Sequence, residues 1–197
     1  IINLRGNAHD ILATERLLLN ILSHLSGIST HTNQIVKIAK KVNSKIEILA
    51  TRKTLPGLRE LEKEAVVHGG GATHRMRLDD AILIKDNHLK LSKNIEASIN
   101  ISREKHPNLM IEVEADNEEQ AIEIAKCGAD RVMLDNFTPK EAEKTIKKLK
   151  QFSEIEIEIS GGVTIDNVVD YAEHADFISL SSLTMSSKPV DFSLHVI

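Results

Sequence analysis

Residues 131–164, RVMLDNFTPKEAEKTIKKLKQFSEIEIEISGGVT, contain a complete strand–helix–strand unit. Apolar and β-branched residues predict strands over Arg131–Leu134 and Ile155–Ile159. Between them, Thr138 is typical of a helix N-cap and the proline after it of a first helical position, which predicts a helix over Pro139–Phe152. Because a helix that connects two strands in this way makes them parallel, the segment predicts an α/β fold.

The same alternation of strands and helices extends over most of the chain. Further strands are predicted at Ile46–Ala50, Ala81–Ile84, Met110–Glu114 and Phe177–Leu180. A helix is predicted over Asn117–Cys127, and Gly128 is the residue type that commonly ends one. The four successive strand ends from Glu114 to Leu180 are 20, 25 and 21 residues apart. This even spacing favours a closed or nearly closed barrel over an open sheet.

The N-terminal part is predicted to differ from the barrel. Two helices are expected over residues 13–26 and 30–42, because apolar residues recur there at helical spacing. Residues 1–12 predict a strand and a turn, with no earlier strand to pair with. Since the chain also begins with Ile1 rather than Met, we expect residues 1–12 to be the remnant of another domain and residues 13–197 to form the barrel.

Composition excludes several classes of protein. The 41% hydrophobic content fits a globular chain, while a net charge of −4 and only 3% aromatic residues argue against nucleic-acid binding. One cysteine, Cys127, excludes an internal disulfide framework and fits a reducing compartment, so we expect a cytoplasmic protein. The long uncharged run at residues 17–36 is too polar to span a membrane, and no signal peptide opens the chain.

Charged residues and glycines follow the predicted strands, at the barrel end where active sites form. The cations are Arg52, Lys53, His74, Arg75 and Lys85; the carboxylates are Glu114 and Asp135; and the turn is Ser160-Gly161-Gly162. Arginine suits an acid with more than one carboxylate, paired carboxylates suit Mg²⁺, and a glycine turn suits a phosphate. An anionic acid, a magnesium-bound polyphosphate and a second phosphate together suggest phosphoribosyl transfer.

Each of these signals alone has a structural alternative. Arg52 and Lys53 could be a solvated pair, and Gly69–Gly71 a flexible turn. Asp135 could cap the helix that follows it. Glu112 and Glu114 share one face of their strand, which is either an exposed polar edge or the barrel interior, where an unpaired carboxylate is costly.

Several ordered blocks of this chain resemble the quinolinate phosphoribosyltransferase family. They are TRKT (51–54), GGG (69–71), HR (74–75), LIKDNH (83–88), IEVE (111–114), MLDN (133–136) and SGG (160–162). The resemblance implies an atypical TIM-like α/β barrel of the type II phosphoribosyltransferases, with most of an N-terminal α/β sandwich domain absent from this chain. It also implies a reaction that joins quinolinate to phosphoribosyl pyrophosphate with Mg²⁺, and that yields nicotinate mononucleotide, pyrophosphate and CO₂ for NAD biosynthesis.

The resemblance assigns roles to matching residues. It implies that quinolinate is bound by Arg16, Arg52, His74, Arg75 and Lys85, with Arg16 donated across the interface of a homodimer or higher oligomer. It implies catalytic roles for Lys53, Glu114 and Asp135, with Mg²⁺ near the two acids. Phosphoribosyl pyrophosphate would contact those three residues together with Asn136, Ser160, Gly161, Gly162 and Ser181.

The chain departs from the family pattern at one block. Ser181 and Met185 stand where the family often has a glycine and a histidine of the phosphate pocket. Two other interpretations remain open: a phosphoribosyltransferase-like protein associated with molybdenum transport, which shares the TRKT and HR blocks, and an inactive binding fragment. Lys85-Asp86-Asn87-His88 favours the quinolinate enzyme, because the molybdenum-associated relative usually differs there.

Overall fold

The computed structural model describes residues 2–92, 94–151 and 153–195. Its centre is one sheet of parallel strands. In chain order they are β1 (Glu47–Ala50), β2 (Ala72–Thr73), β3 (Ile82–Ile84), β4 (Ile111–Ala115), β5 (Arg131–Asp135), β6 (Glu156–Ser160) and β7 (Phe177–Leu180). Within the described residues the spatial order is β2-β1-β7-β6-β5-β4-β3, so the sheet curls into part of a barrel that is open between β2 and β3.

Eight helices of the described chain accompany this sheet. They are α1 (Ala8–Ala39), α2 (Arg59–His68), α3 (Asp86–Ser92), α4 (Ile95–Lys105), α5 (Glu118–Lys126), α6 (Pro139–Leu149), α7 (Val168–Ala172) and α8 (Ser182–Met185). The residues between the sheet and the helices form one apolar core rich in Ile, Val and Ala. None of the described helices is long and apolar enough to cross a membrane.

The strand predictions are confirmed to within one residue for six of the seven strands. The missed strand is β2, which has only two residues and follows directly on the glycines of the 69–71 turn. The alternation of apolar and acidic residues in β4 corresponds to its two faces. Ile111 and Val113 belong to the apolar core, whereas Glu112 and Glu114 point into the barrel. The glutamates therefore lie in the interior and not on an exposed edge.

The helix predictions are confirmed where capping residues mark the ends. Thr138 caps α6 through the backbone N–H of Glu141, whose carboxylate accepts from the Thr138 N–H in return. Gly128 follows α5 with φ of 80°, as expected for a left-handed terminator. The expected continuation of α6 to Phe152 lies outside the described residues, and the structure ends that helix at Leu149.

The N-terminal prediction is wrong in two respects. Residues 13–26 and 30–42 lie largely within one continuous helix, α1, and residues 2–5 form no strand; Ile1 lies outside the described residues. The expected break near Gly27 is absent because this glycine serves a close contact. A Cβ built there would lie 2.3 Å from the carbonyl oxygen of Lys188, so the C-terminal segment packs directly on the helix backbone.

Candidate active site

The carboxyl ends of all described strands lie at one rim of the sheet, because every ladder is parallel. The predicted site residues follow from this topology. Arg52 and Lys53 come after β1, His74 and Arg75 after β2, and Lys85 after β3. Glu114 and Asp135 lie at the ends of β4 and β5, and the Ser160–Gly162 turn continues β6. The rim therefore carries cations on one side and carboxylates on the other.

Glu114 and Asp135 form the acidic side of the rim. Glu114 is buried, and its carboxylate accepts hydrogen bonds from Lys85 Nζ at 3.1 Å and from the Asp86 N–H at 3.3 Å. Burial and the negative charge of Glu114 together raise the pKa of Asp135 above its ordinary value. The charges of Lys85 and Lys53 act in the opposite direction on this pKa.

A second layer of charge lies one step deeper in the barrel. The carboxylates of Glu112 and Glu158 are fully buried and approach His74 Nε2 at 2.8 and 3.3 Å. Arg131 reaches Glu158 at 3.2 Å, and its guanidinium carbon lies 3.7 Å from the centre of the Phe177 ring. Two buried acids thus face two basic groups, and the layer compensates its own charge.

The protonation of His74 follows from this layer. Burial alone would lower the pKa of His74, but its hydrogen bonds to Glu112 and Glu158 outweigh burial and raise the pKa to about 9. Burial raises the pKa of Glu112, against the effect of His74. His74 Nδ1 also lies 2.8 Å from the Arg75 backbone N–H. The Arg75 N–H donates to this nitrogen, which requires Nδ1 without a proton, so this one contact opposes the charged form that the two glutamates favour.

Arg52 and Arg75 form the cationic side of the rim. The Nε atoms of both side chains are buried and have no hydrogen-bond partner among the described residues. Burial lowers the pKa of Arg75, and the positive charge of Arg52 lowers it further. Arg75 Nη1 donates to the Ala81 carbonyl at 3.3 Å. Buried donors without partners are expensive and are typical of a site that receives an anion.

The turn after β6 interlocks with the turn after β5. Gly161 and Gly162 have φ of 80° and 67°, and Asn136 also has a positive φ, 57°. A Cβ at Gly161 would lie 2.3 Å from Asn136 Oδ1, and the Asn136 N–H donates to the Ser160 carbonyl at 2.9 Å. Asn136 Nδ2 in turn donates to Asp135 at 2.7 Å, so these turns are fitted to one another beside the carboxylate pair.

One expectation about this turn is wrong. The helix predicted to begin at Thr164 begins at Val168 and has five residues. Asn167 ties the intervening residues, accepting from the Thr164 N–H and donating to the Gly162 carbonyl. The N–H groups next to Gly162 therefore belong to a turn, not to the first turn of a helix.

The remaining predicted residues make no side-chain hydrogen bond to these clusters among the described residues, although the charge of Lys53 lowers the pKa of Asp135. Lys53 is exposed, and its carbonyl accepts from Thr184 Oγ1 at 2.6 Å, which ties the loop after β1 to α8. Ser181 directly precedes α8, while Met185, 52% exposed, ends it. Arg16 is exposed on the N-terminal half of α1, and the structure shows no contact between it and the other cations among the described residues.

Sequence reasoning assigned no role to Glu62 and Lys63 of α2, although both are buried, at 0% and 1% exposure. Lys63 donates to the backbone carbonyls of His74 and Arg75. The signal in the sequence is their spacing, because the two residues are one turn before the apolar pair Ala65 and Val66 and hence on the same buried face. Helical periodicity alone could have placed these charges in the interior.

Comparisons with known proteins agree with this geometry. A family model described as "Quinolinate phosphoribosyl transferase, C-terminal domain" matches residues 28–195. A probable nicotinate-nucleotide pyrophosphorylase (carboxylating) of Methanocaldococcus jannaschii is 45% identical over 100% of this chain and 72% of its own length. The human nicotinate-nucleotide pyrophosphorylase (carboxylating) is 38% identical over 98% of this chain and 66% of its own length.

Solved structures lead to the same family. The crystal structure of NadC from Streptococcus pyogenes has a TM-score of 0.88 and 37% identity, and it covers 95% of this chain and 65% of its own. The chain thus spans slightly less than two thirds of that protein. The match in sequence, in the order of the rim motifs and in three-dimensional structure is consistent, and this chain belongs to the quinolinate phosphoribosyltransferase family.

Proposed function

We propose that this chain transfers the phosphoribosyl group of phosphoribosyl pyrophosphate to quinolinate with loss of CO₂, giving nicotinate mononucleotide and pyrophosphate. One observation carries the proposal: the buried Nε donors of Arg52 and Arg75 have no partner among the described residues. Two guanidinium groups suit a small acid with two carboxylates, because each guanidinium binds a carboxylate in a fork geometry. Lys85, at the end of β3, adds a third cation between this site and Glu114.

The opposite side of the rim suits the sugar and its charge. Cleavage of the ribosyl–pyrophosphate bond develops positive charge on the ribose, and fixed carboxylates stabilise that charge. Glu114 and Asp135 are the residues on this rim that would do so. The turn Ser160-Gly161-Gly162 offers backbone N–H groups for the 5′-phosphate.

The second chemical step needs little from the protein. The ring nitrogen becomes positively charged when it is ribosylated, and this charge stabilises the carbanion that remains at the adjacent carbon after CO₂ leaves. The carbanion then takes up a proton to give nicotinate mononucleotide. The cations Arg52 and Arg75 retain the remaining carboxylate during this step and keep the ring oriented.

Residues of this rim also fit a divalent cation. Burial and the charge of Glu114 raise the pKa of Asp135 above its ordinary value, and an added cation would favour its charged form. Glu114 and Asp135 would hold Mg²⁺, which would neutralise the departing pyrophosphate. A second set of potential ligands, the group His74, Glu112 and Glu158, is already compensated by Arg131 and is therefore a poorer candidate.

Two further parts of the proposal concern assembly and location. Arg16 lies on α1 beside exposed apolar side chains, among them Leu12 and Leu17, which are 57% and 65% exposed. An apolar helix face of this kind suits a second copy of the chain, and we propose a homodimer in which Arg16 enters the partner's pocket. The single, partly buried Cys127 supports a reducing, cytoplasmic location.

Binding and product formation test the proposed reaction. Calorimetry should show that quinolinate binds and that nicotinate, which lacks one carboxylate, binds at least about 100-fold more weakly, because it leaves a buried guanidinium unpaired. With phosphoribosyl pyrophosphate and Mg²⁺, nicotinate mononucleotide should appear. Equal dissociation constants for the two acids would contradict the site, and binding without product would favour the inactive binding fragment.

A further inference from the structure

Helix α2 contains two adjacent charged residues in the interior of the protein. Glu62 accepts a hydrogen bond from the Leu55 N–H at 3.1 Å and pairs with His24 of α1 at 2.6 Å. Lys63 Nζ donates to the carbonyl oxygens of His74 and Arg75 at 2.8 and 2.5 Å. Neither side chain reaches solvent, so their charges serve contacts within the protein.

The two backbone segments that α2 holds are those that carry the proposed quinolinate cations. Arg52 precedes Leu55 in the loop after β1, and Arg75 follows β2. Burial of an ammonium group costs several kcal/mol, and an apolar side chain of similar size would avoid that cost. The charge of Lys63 is therefore explained by its hydrogen bonds to the backbone of His74 and Arg75, the second of which carries a guanidinium.

The surroundings of Lys63 are strongly positive. The charged groups that face its ammonium are Arg52, Arg59, Arg75 and Asp80. Burial, followed by the charge of Arg59, lowers the pKa of Lys63 to about 8. Asp80 acts in the opposite direction, and it also accepts from the N–H groups of Met76 and Arg77 directly after the segment that Lys63 holds.

We propose that Lys63 is a positioning residue for the dicarboxylate substrate, which it does not touch: it fixes the His74–Arg75 backbone so that the Arg75 guanidinium faces the pocket. This inference rests on the proposed function. The geometric basis of the inference is that Lys63 Nζ donates to the carbonyls of two consecutive residues, His74 and Arg75. One ammonium group can reach both oxygens only when the backbone at these residues has one orientation. When the bonds are lost, that backbone can rotate and carry the guanidinium with it.

Removal of the Lys63 donors tests the proposal. Lys63→Met keeps the length of the side chain and removes its N–H groups, and Lys63→Arg keeps donors and charge. We expect Lys63→Met to raise the quinolinate Kd and KM about tenfold, as expected for loss of about 1.4 kcal/mol, and to leave the KM of phosphoribosyl pyrophosphate within about twofold. Lys63→Arg should restore quinolinate affinity, and Lys126→Met, an exposed lysine at the end of α5, is the matched control.

The pH dependence of quinolinate binding separates positioning from a general loss of structure. The hydrogen bonds of Lys63 to the two carbonyls are strongest while Lys63 is charged. The affinity of the wild type for quinolinate should therefore fall as the pH rises, with a midpoint near pH 8. In Lys63→Arg this midpoint should disappear, while any change from His74, whose pKa is about 9, remains. The wild-type and Lys63→Arg profiles decide the matter even if Lys63→Met does not fold.

The outcomes distinguish this inference from the proposed function. If the wild type binds quinolinate and Lys63→Met binds it equally well, the positioning role is wrong and the proposed function stands. Equal losses for both substrates, or a midpoint near pH 8 that persists in Lys63→Arg, would also overturn the role of Lys63. If the wild type binds no quinolinate, both the function and the inference fail.

Discussion

The barrel contains two layers of carboxylates, a lower one on β4 and β6 and an upper one on β4 and β5, and their surroundings give them different uses. In the lower layer, Glu112 and Glu158 are fully buried and face His74 and Arg131. In the upper layer, Glu114 faces Lys85, whose side chain is 46% exposed, while the pKa of Asp135 is raised by burial and by Glu114. The lower layer pairs its acids with buried basic groups, although Glu112 Oε1 and Glu158 Oε1 have no hydrogen-bond partner among the described residues. The upper layer lies at the rim, where we propose that a cation binds.

The comparison teaches that residue type does not decide the role of an interior carboxylate. Glu112 and Glu114 occupy the same face of β4 and differ by one step of the strand repeat. What differs is the exposure of the counter-charge: Arg131 of the lower layer is buried, whereas the side chain of Lys85, which pairs with Glu114, is 46% exposed. A carboxylate with a buried partner stabilises the fold, and one with an exposed partner lies where a ligand can reach it.

Removal of a lower-layer acid should have the largest effect. Glu158→Ala removes one of the two carboxylates that Arg131 and His74 each face, leaving Glu156 and Glu112 as the remaining partners, and it opens a cavity. We expect the free energy of unfolding to fall by about 3 kcal/mol. Urea unfolding monitored by circular dichroism measures this change. Glu154→Ala, in the exposed segment before β6, is the control and should unfold as the wild type does. A Glu158→Ala protein of wild-type stability would contradict the distinction between the layers.

Change of an upper-layer acid should alter chemistry and not stability. We expect Asp135→Asn to reduce kcat about 100-fold or more, because it removes charge that stabilises the ribosyl transition state. Unfolding should change by less than about 0.5 kcal/mol, since the substitution preserves shape and no buried cation loses its partner. Steady-state kinetics at saturating Mg²⁺ measure the first effect. An unchanged kcat with a raised quinolinate KM would show that Asp135 binds quinolinate and does not act on the ribosyl group, which would contradict the assignment.

A pH titration of stability tests the charge of the lower layer. The folded-state pKa of His74, about 9, lies above its ordinary value of 6.5, so its stabilisation is complete below pH 6.5 and is lost as the pH rises toward 9. Between pH 6.5 and 8 the unfolding free energy should fall by about 2 kcal/mol, at about 1.4 kcal/mol per pH unit. Above pH 8 the lowered pKa of Lys63 acts in the opposite direction.

The control for this titration is His74→Asn, in which the slope between pH 6.5 and 8 should disappear. A wild-type protein whose stability is constant over that range would show that His74 is not held in its charged form. In that case the proton of the lower layer would reside on Glu112, whose pKa is also raised by burial.

The sequence predicted most of the sheet because β-branched runs and capping residues are local signals. β5 and α6 follow from residues 131–149 alone, through the apolar run and the Thr138 cap. The sequence predicted two helices where α1 is continuous, and Gly27, which lies between them, allows the close approach of Lys188. This contact involves a segment about 160 residues away in the chain, so local helix propensity cannot predict it.

The sequence could predict which residues form the candidate site, but not how their side chains contact one another. Motif order identified the family, and the parallel sheet brings Arg52, Arg75, Glu114 and Asp135 to one rim. The division into two layers depends on which cation reaches which acid, as Arg131 reaches Glu158 and Lys85 reaches Glu114. These side-chain contacts, and the hydrogen bonds of Lys63 to backbone carbonyls, become visible only in three dimensions.

The fit between Gly161 and Asn136 has a consequence for anyone who redesigns this barrel. The two loops share a boundary at which a single added methyl group would collide with an amide oxygen, so a loop transplanted from another barrel after β6 would meet the one that remains after β5. The exchangeable unit is therefore the pair of loops, transplanted together. A library that randomised residues 160–162 would return mostly glycine at position 161 even if position 136 were varied too, because the Asn136 backbone nitrogen lies 2.9 Å from a built Cβ and φ of Gly161 is 80°.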